Sequence, residues 1–173
     1  MLICTRTDYT TPKPCADRNS MTEPSSAIGF VVIIILYAVI GLLATAGSVA
    51  VTQKFFPGRS EQIFYGAFLV PIAGFYLAFV AYFGNVSSWR TELIAVLAFS
   101  VLGIVGTRYA AVLILGYSLH GIWDALHELA GHSGFSPFGS GELTAIPLAY
   151  GVFCAVFDIA IAAYFVRRKQ FWK

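Results

Sequence analysis

The sequence predicts an all-α protein, a multi-pass transmembrane bundle of five spanning helices, and three observations carry that prediction. Of 173 residues, 58% are hydrophobic and only 12% charged, roughly half the charged share of an ordinary soluble domain. Mean hydropathy is +0.75, more than one buried core can explain in a chain whose large surface would need polar cover. The apolar residues also gather into five stretches near the length of about 20 residues that a helix needs to cross roughly 30 Å of hydrocarbon. A soluble globular enzyme is excluded. So are disorder, coiled coil and nucleic-acid binding, because there is no low-complexity tract or heptad run and the net charge is only +2. Barrel strands would alternate with period two, whereas these stretches are apolar all round and helices satisfy their own backbone groups in lipid.

Residues 1–27 are polar, carry Pro12, Pro14 and Pro24, and read as a disordered tail. Met21 is an alternative start that would remove Arg6, Lys13 and Arg18 together with Cys4 and Cys15. In an oxidising compartment those two cysteines could pair; as free thiols they need no partner. The first span is Ile28–Val51. A signal-peptide reading of it meets a long apolar run with basic residues far upstream. Gly41, Thr45 and Ser48 instead form a small-residue stripe of the kind that packs closely on another helix.

After the breakers Pro57 and Gly58 comes the second span, Ile63–Phe83. The third, Leu93–Gly106, is short unless it recruits Thr91, Glu92 and Thr107. The fourth runs from about Tyr109 to Ala130 and the fifth from Leu143 to Val166, where Cys154 reads as a small packing residue. Arg167, Arg168, Lys169 and Lys173 follow the fifth span, so the C-terminus is expected in the cytoplasm of an inner (cell) membrane protein and the N-terminus outside. Lys54, Arg59 and Arg108 then also fall inside, while the basic residues of the tail run against the rule.

All three histidines, His120, His127 and His132, lie on or just beyond the fourth span, interleaved with Asp124 and Glu128. On a helix, His120, Asp124 and His127 fall within about 60° of one another, with Tyr117 beside them. An Asp in mid-span costs on the order of 2.5–3.5 kcal/mol on insertion scales, so this stripe must face protein or water.

Helix packing by hydrogen bonds, a metal or acid–base site, and a proton pathway are three uses for such a stripe. Interhelical hydrogen bonds are worth only roughly 0.6 kcal/mol on average, and five ionisable groups are more than packing requires. For a divalent metal ion the candidate ligands are His120, Asp124 and His127, although the two histidines stand about 10.5 Å apart along the axis. A His beside an Asp can also hold a proton near neutral pH, which suits acid–base catalysis or relay.

Partners must come from other helices. With opposite directions of travel, His120 lies about 16 Å and Asp158 about 12 Å above the inner boundary, depths compatible with contact. Glu92, at the outer end of the third span, is level with His127, Glu128 and His132. The candidate catalytic set is therefore His120, Asp124, His127, Glu128, Asp158 and Glu92.

The string from His127 to His132 resembles a zinc-protease motif with one residue too many, which rotates the second His by about 140°, and Gly131 is expected to end the helix first. That chemistry is rejected, as are di-iron hydroxylation for want of histidines and a serine triad on Ser118. Tyr117 and Trp123 either line an apolar pocket or simply pack. The Gly- and Ser-rich loop 131–142 reads as a turn or a cover over the outer end. The second and fifth spans also echo one another: Tyr65, Gly66, Phe68 recurs as Tyr150, Gly151, Phe153, and Phe75, Ala78 as Phe157, Ala160. In that alignment Tyr76 occupies the place of Asp158.

Gly116, Tyr117, the block His120 to His127 and the block Pro147 to Tyr164 resemble domain-of-unknown-function family 6010 of small bacterial membrane proteins, over about residues 60–173. The resemblance implies a compact four-helix unit with a His, Trp-Asp and His signature and no assigned activity. The helix over 28–51 would then be an added N-terminal anchor. The expected function is an intramembrane His/Asp/Glu site that binds a metal or performs acid–base chemistry on a lipid-like substrate. The alternative is a non-catalytic transporter or membrane-complex subunit that uses the same residues for proton relay or packing. The expected partners are the lipid bilayer and either a second copy of the chain or other membrane subunits.

Overall fold

The computed structural model describes the backbone of residues 24–133, 136–139 and 141–172, and the side chains of these except 24–26, 132 and 133. The expectations for Cys4, Cys15, Met21 and residues 1–23 of the tail, and for the His132 side chain, lie outside the described residues. Five helices follow in order: α1 (Pro24–Phe55), α2 (Arg59–Phe83), α3 (Trp89–Gly106), α4 (Ala110–Ser133) and α5 (Leu148–Arg168), then a single 3-10 turn at Lys169–Phe171. There is no strand among the described residues.

Four of the helices, α1, α2, α3 and α5, are long and apolar enough to cross a membrane. The 24-residue α4 is outside that set, because it carries Asp124, Glu128 and all three histidines. All five expected helices are present, and four of them have the length and apolarity that crossing requires.

Element boundaries follow local chemistry. Pro57 and Gly58, the latter at φ 67°, separate α1 from α2. Gly84 closes α2 in the left-handed region at φ 66°, where its amide donates to the Val80 carbonyl at 2.9 Å. The third helix does recruit Thr91 and Glu92, starting at Trp89. Three expectations need correction. Residues 24–27, expected at the end of the disordered tail, open α1 instead. Gly131 does not end α4, which continues to Ser133. And α5 begins at Leu148 rather than Leu143, because Pro147 is extended (ψ 131°) and residues 143–147 are not helical, the Thr144 amide being held by Glu92.

The bundle is built from the pairs α2–α3, α4–α5 and α1–α5, with α3 and α2 also touching α4. Although they are neighbours in sequence, α1 and α2 meet chiefly through Tyr65, whose hydroxyl lies 3.0 Å from Ser48 and 3.1 Å from Thr52 of α1; both helices lean mainly on others. Small residues allow the close approaches. A Cβ on Gly66 would lie 2.7 Å from the Gly103 carbonyl oxygen, and one on Gly103 would lie 2.6 Å from that of Gly66. The stripe on α1 works the same way: Gly41 sits against the Phe153 carbonyl of α5, Thr45 is buried beside it, and Ser48 lies 3.0 Å from the Tyr65 hydroxyl.

One half of the interior is aromatic and aliphatic, with Tyr65, Leu69, Leu113, Tyr117, Ile161 and Phe165 fully buried. This half is closed by Glu61, which is also fully buried. Its carboxylate accepts from the Tyr164 hydroxyl at 2.5 Å, Arg168 Nε at 3.0 Å and Trp172 Nε1 at 2.9 Å, tying the C-terminal turn back onto the start of α2. Tyr117 belongs to this core, its hydroxyl donating to the Tyr65 carbonyl at 3.0 Å. It therefore packs.

Candidate functional site

The other half of the interior is polar, and α4 supplies its spine. His120, Asp124 and His127 point the same way because they occupy one helical stripe, and all three are buried. Neighbouring helices divide them into two tiers.

In the inner tier, His120 Nδ1 lies 2.6 Å from Asp158 Oδ2 on α5 and 3.4 Å from Asp124 Oδ2. The first is a short charge-assisted hydrogen bond; the second is beyond good bonding range. The Tyr76 hydroxyl of α2 donates to Asp124 Oδ1. His120, Asp124 and Asp158 are each fully buried and offer ligand atoms that all lie within 4.8 Å of one another. His120 Nε2, Asp124 Oδ2 and Asp158 Oδ1 are buried without a hydrogen-bond partner among the described residues.

In the outer tier, His127 Nδ1 faces the Trp123 carbonyl at 2.9 Å and Nε2 faces Glu92 Oε1 at 2.8 Å. A carbonyl can only accept, so Nδ1 carries a hydrogen, and one further proton is shared between Nε2 and Glu92. Both ring nitrogens are thereby engaged, and Asp158 takes the place of His127 in the cluster that could hold a metal. Glu92 Oε1 also accepts from the Thr144 amide at 2.9 Å. The chain after α4 is pinned there: Ser87 Oγ donates to the Gly141 carbonyl at 2.7 Å, Thr91 Oγ1 lies 3.1 Å from Glu142 Oε2, and the Phe138 ring stands 5.4 Å from that of Trp123. The Tyr76 ring lies between tiers, 5.9 Å from the His120 ring and 4.5 Å from that of His127.

Glu128 is turned toward α5 and α1. It lies against Gly151, where a Cβ would collide with its carboxylate, and it lines a separate apolar cleft with Phe30 and Ile34 of α1. A second cleft of about 290 Å³ reaches the inner tier itself. It lies between α1, α2 and α5 and is lined by Ala44, Phe68, Ile72, Phe75, Cys154 and Asp158 among others. Asp158 is the only carboxylate lining it among the described residues.

The contacts from His120 to Asp158 and from Glu92 to His127 are the ones that depth along the helices predicts. Tyr76 and Thr144 are additions. Tyr76 stands opposite Asp158 in the echo between the second and fifth spans, and both reach the same tier from opposite sides. Thr144 left no signal, since its role depends on where the loop returns.

Searches against family models, curated proteins and solved structures found no match to this chain.

Proposed function

We propose that this chain is an integral membrane protein all of whose five helices cross the bilayer, with the C-terminus cytoplasmic and the N-terminus outside. In this reading His120, Asp124 and Asp158 form an intramembrane acid–base site for a lipid-like substrate. Four apolar helices support the membrane setting. The fifth crossing is supported by α4 burying its polar stripe against α3 and α5. The basic residues after α5 support the orientation. Helices α2–α5 would be the unit that resembles family 6010, with α1 added on the flank of α5.

The observation that carries the site reading is the position of Asp158. One of its oxygens is bonded to His120, the other has no partner among the described residues, and the residue lines an apolar cleft between α1, α2 and α5. A lipid-like molecule entering between α1 and α2 would bring its polar group to a carboxylate already sharing a proton with an imidazole. An apolar cavity of about 150 Å³ takes one benzene, so 290 Å³ accommodates an apolar group about twice that size.

The test is photolabelling of the purified full chain with a diazirine-bearing medium-chain alcohol, using the matching alkane as control. The reading requires preferential alcohol labelling of cleft residues on α1, α2 and α5, reduced in Asp158→Asn and blocked by Ala44→Phe. Equal labelling by alcohol and alkane, or labelling indifferent to both substitutions, rejects it.

A second reading rests on the ligand atoms lying within 4.8 Å of one another. Two carboxylates and a neutral imidazole in a low-dielectric interior reach electroneutrality with two added protons or with one divalent cation. His120, Asp124 and Asp158 would hold that cation, with the Tyr76 hydroxyl orienting Asp124. Stoichiometric metal in the purified parent, lost in both Asp124→Asn and Asp158→Asn, would establish it; a metal-free parent would leave protons as the neutralising charge.

A further inference from the structure

At the opposite end of the bundle from the outer tier, three cations from three different elements converge on one recess. Arg59 opens α2, Arg108 lies in the turn between α3 and α4, and Lys169 begins the 3-10 turn after α5. Together with Ala110, Ala111 and Trp172 they line a cavity of about 530 Å³. No carboxylate lines it among the described residues. Glu61, two residues after Arg59, is fully buried, and its oxygens are committed to Tyr164, Arg168 and Trp172, so it does not neutralise the three. Arg59, Arg108 and Lys169 are exposed and take part in no ion pair among the described residues; Arg108 lies over the Tyr109 ring at 5.9 Å.

Three like charges held in one recess repel one another, and the arrangement is relieved by a bound anion. The walls favour one too. Ala110 and Ala111 are the first residues of the 24-residue α4, and the opening turn of a helix presents amides with no acceptor inside the helix and the positive end of its dipole. In the membrane setting proposed above the recess falls at a bilayer boundary, where the exposed Tyr109 and Phe171 beside it suit interfacial aromatics. A free anion needs only the charge; acyl chains attached to the anion would also use this apolar surround.

We propose that this recess binds the phosphodiester headgroup of an anionic phospholipid, held by Arg59, Arg108 and Lys169 at the start of α4. The site depends on the membrane setting proposed above and not on the acid–base reading, so either can fail alone.

The experiment is native mass spectrometry of the purified full chain, titrated with phosphatidylglycerol, phosphatidylcholine and inorganic phosphate. The expected result is retention of phosphatidylglycerol over phosphatidylcholine, weakened roughly tenfold or more in R108Q/K169Q. Lys54→Gln, at the same end but outside the recess, keeps the parent's retention. All three positions are exposed, so the variants should match the parent's melting temperature, which confirms that they fold. Equal retention of both lipids, or equal loss in Lys54→Gln, would overturn the proposal. Displacement of the lipid by inorganic phosphate at comparable concentration would identify a site for the free ion and overturn it as well.

Discussion

His120 Nδ1 and Asp158 Oδ2 meet at 2.6 Å from helices 38 positions apart in the chain, with neither side chain exposed. A buried hydrogen bond of this kind holds α4 against α5, and it commits one oxygen of Asp158 while the other has no hydrogen-bond partner among the described residues. Its surroundings make the consequences of substitution distinguishable.

Asp124→Asn keeps an oxygen for the Tyr76 hydroxyl and should cost about 1 kcal/mol of stability. Asp124→Leu strands that hydroxyl in the interior and should cost on the order of 3 kcal/mol. Thermal unfolding in detergent checks the order; equal losses would show that Tyr76 finds another acceptor.

Glu92 bonds both His127 and the Thr144 amide. Both contacts go to Glu92 Oε1, so in Glu92→Gln an amide oxygen there still accepts from Thr144 but brings no proton to His127 Nε2, and the loss should be about 1 kcal/mol. Glu92→Ala leaves two buried groups unpaired, a loss of about 2–4 kcal/mol. Because Thr144 anchors the chain after α4, limited proteolysis between residues 134 and 147 should accelerate in Glu92→Ala and not in Glu92→Gln.

Gly66→Ala should destabilise the α2–α3 crossing by roughly 1–3 kcal/mol, since its Cβ would meet the Gly103 carbonyl and one of the helices must move. Gly74, on the same helix, has open space for at least 4 Å around the point where a Cβ would stand. Gly74→Ala should be neutral or stabilising by up to about 1 kcal/mol through helix propensity. Opposite signs in the two melting shifts are expected.

Removing the Glu61 carboxylate tests the clasp on the C-terminal turn. Glu61→Ala leaves Trp172 Nε1 and the Tyr164 hydroxyl short of an acceptor and frees Arg168, for a loss of about 2–4 kcal/mol. Glu61→Gln, which still accepts from Trp172, should lose less. Trp172 fluorescence reports the change directly: a red shift in Glu61→Ala means the ring has moved into water.

Much of this was legible in the residues, because the relevant physics is local. Hydrocarbon-length apolar runs mark the helices. A repeat of 3.6 residues per turn puts His120, Asp124 and His127 on one face whatever surrounds them. Depth along a helix is also a local quantity, which is why Asp158 and Glu92 could be matched in level to their histidines. Glu61 shows the limit. It reads as part of a polar flank before the second span, and it is buried because the C-terminal turn folds back onto it.

What the sequence by itself determined, then, is which residues share a face and a level; which of them touch was decided by the tertiary structure. The rotation of each helix about its own axis and the crossing angle between helices depend on all the packed surfaces together, including close approaches such as Gly66 on Gly103. Those angles turn Asp158 onto His120, send Glu128 to a different cleft, and bring Tyr76 between the two tiers, and no stretch of chain contains that information alone.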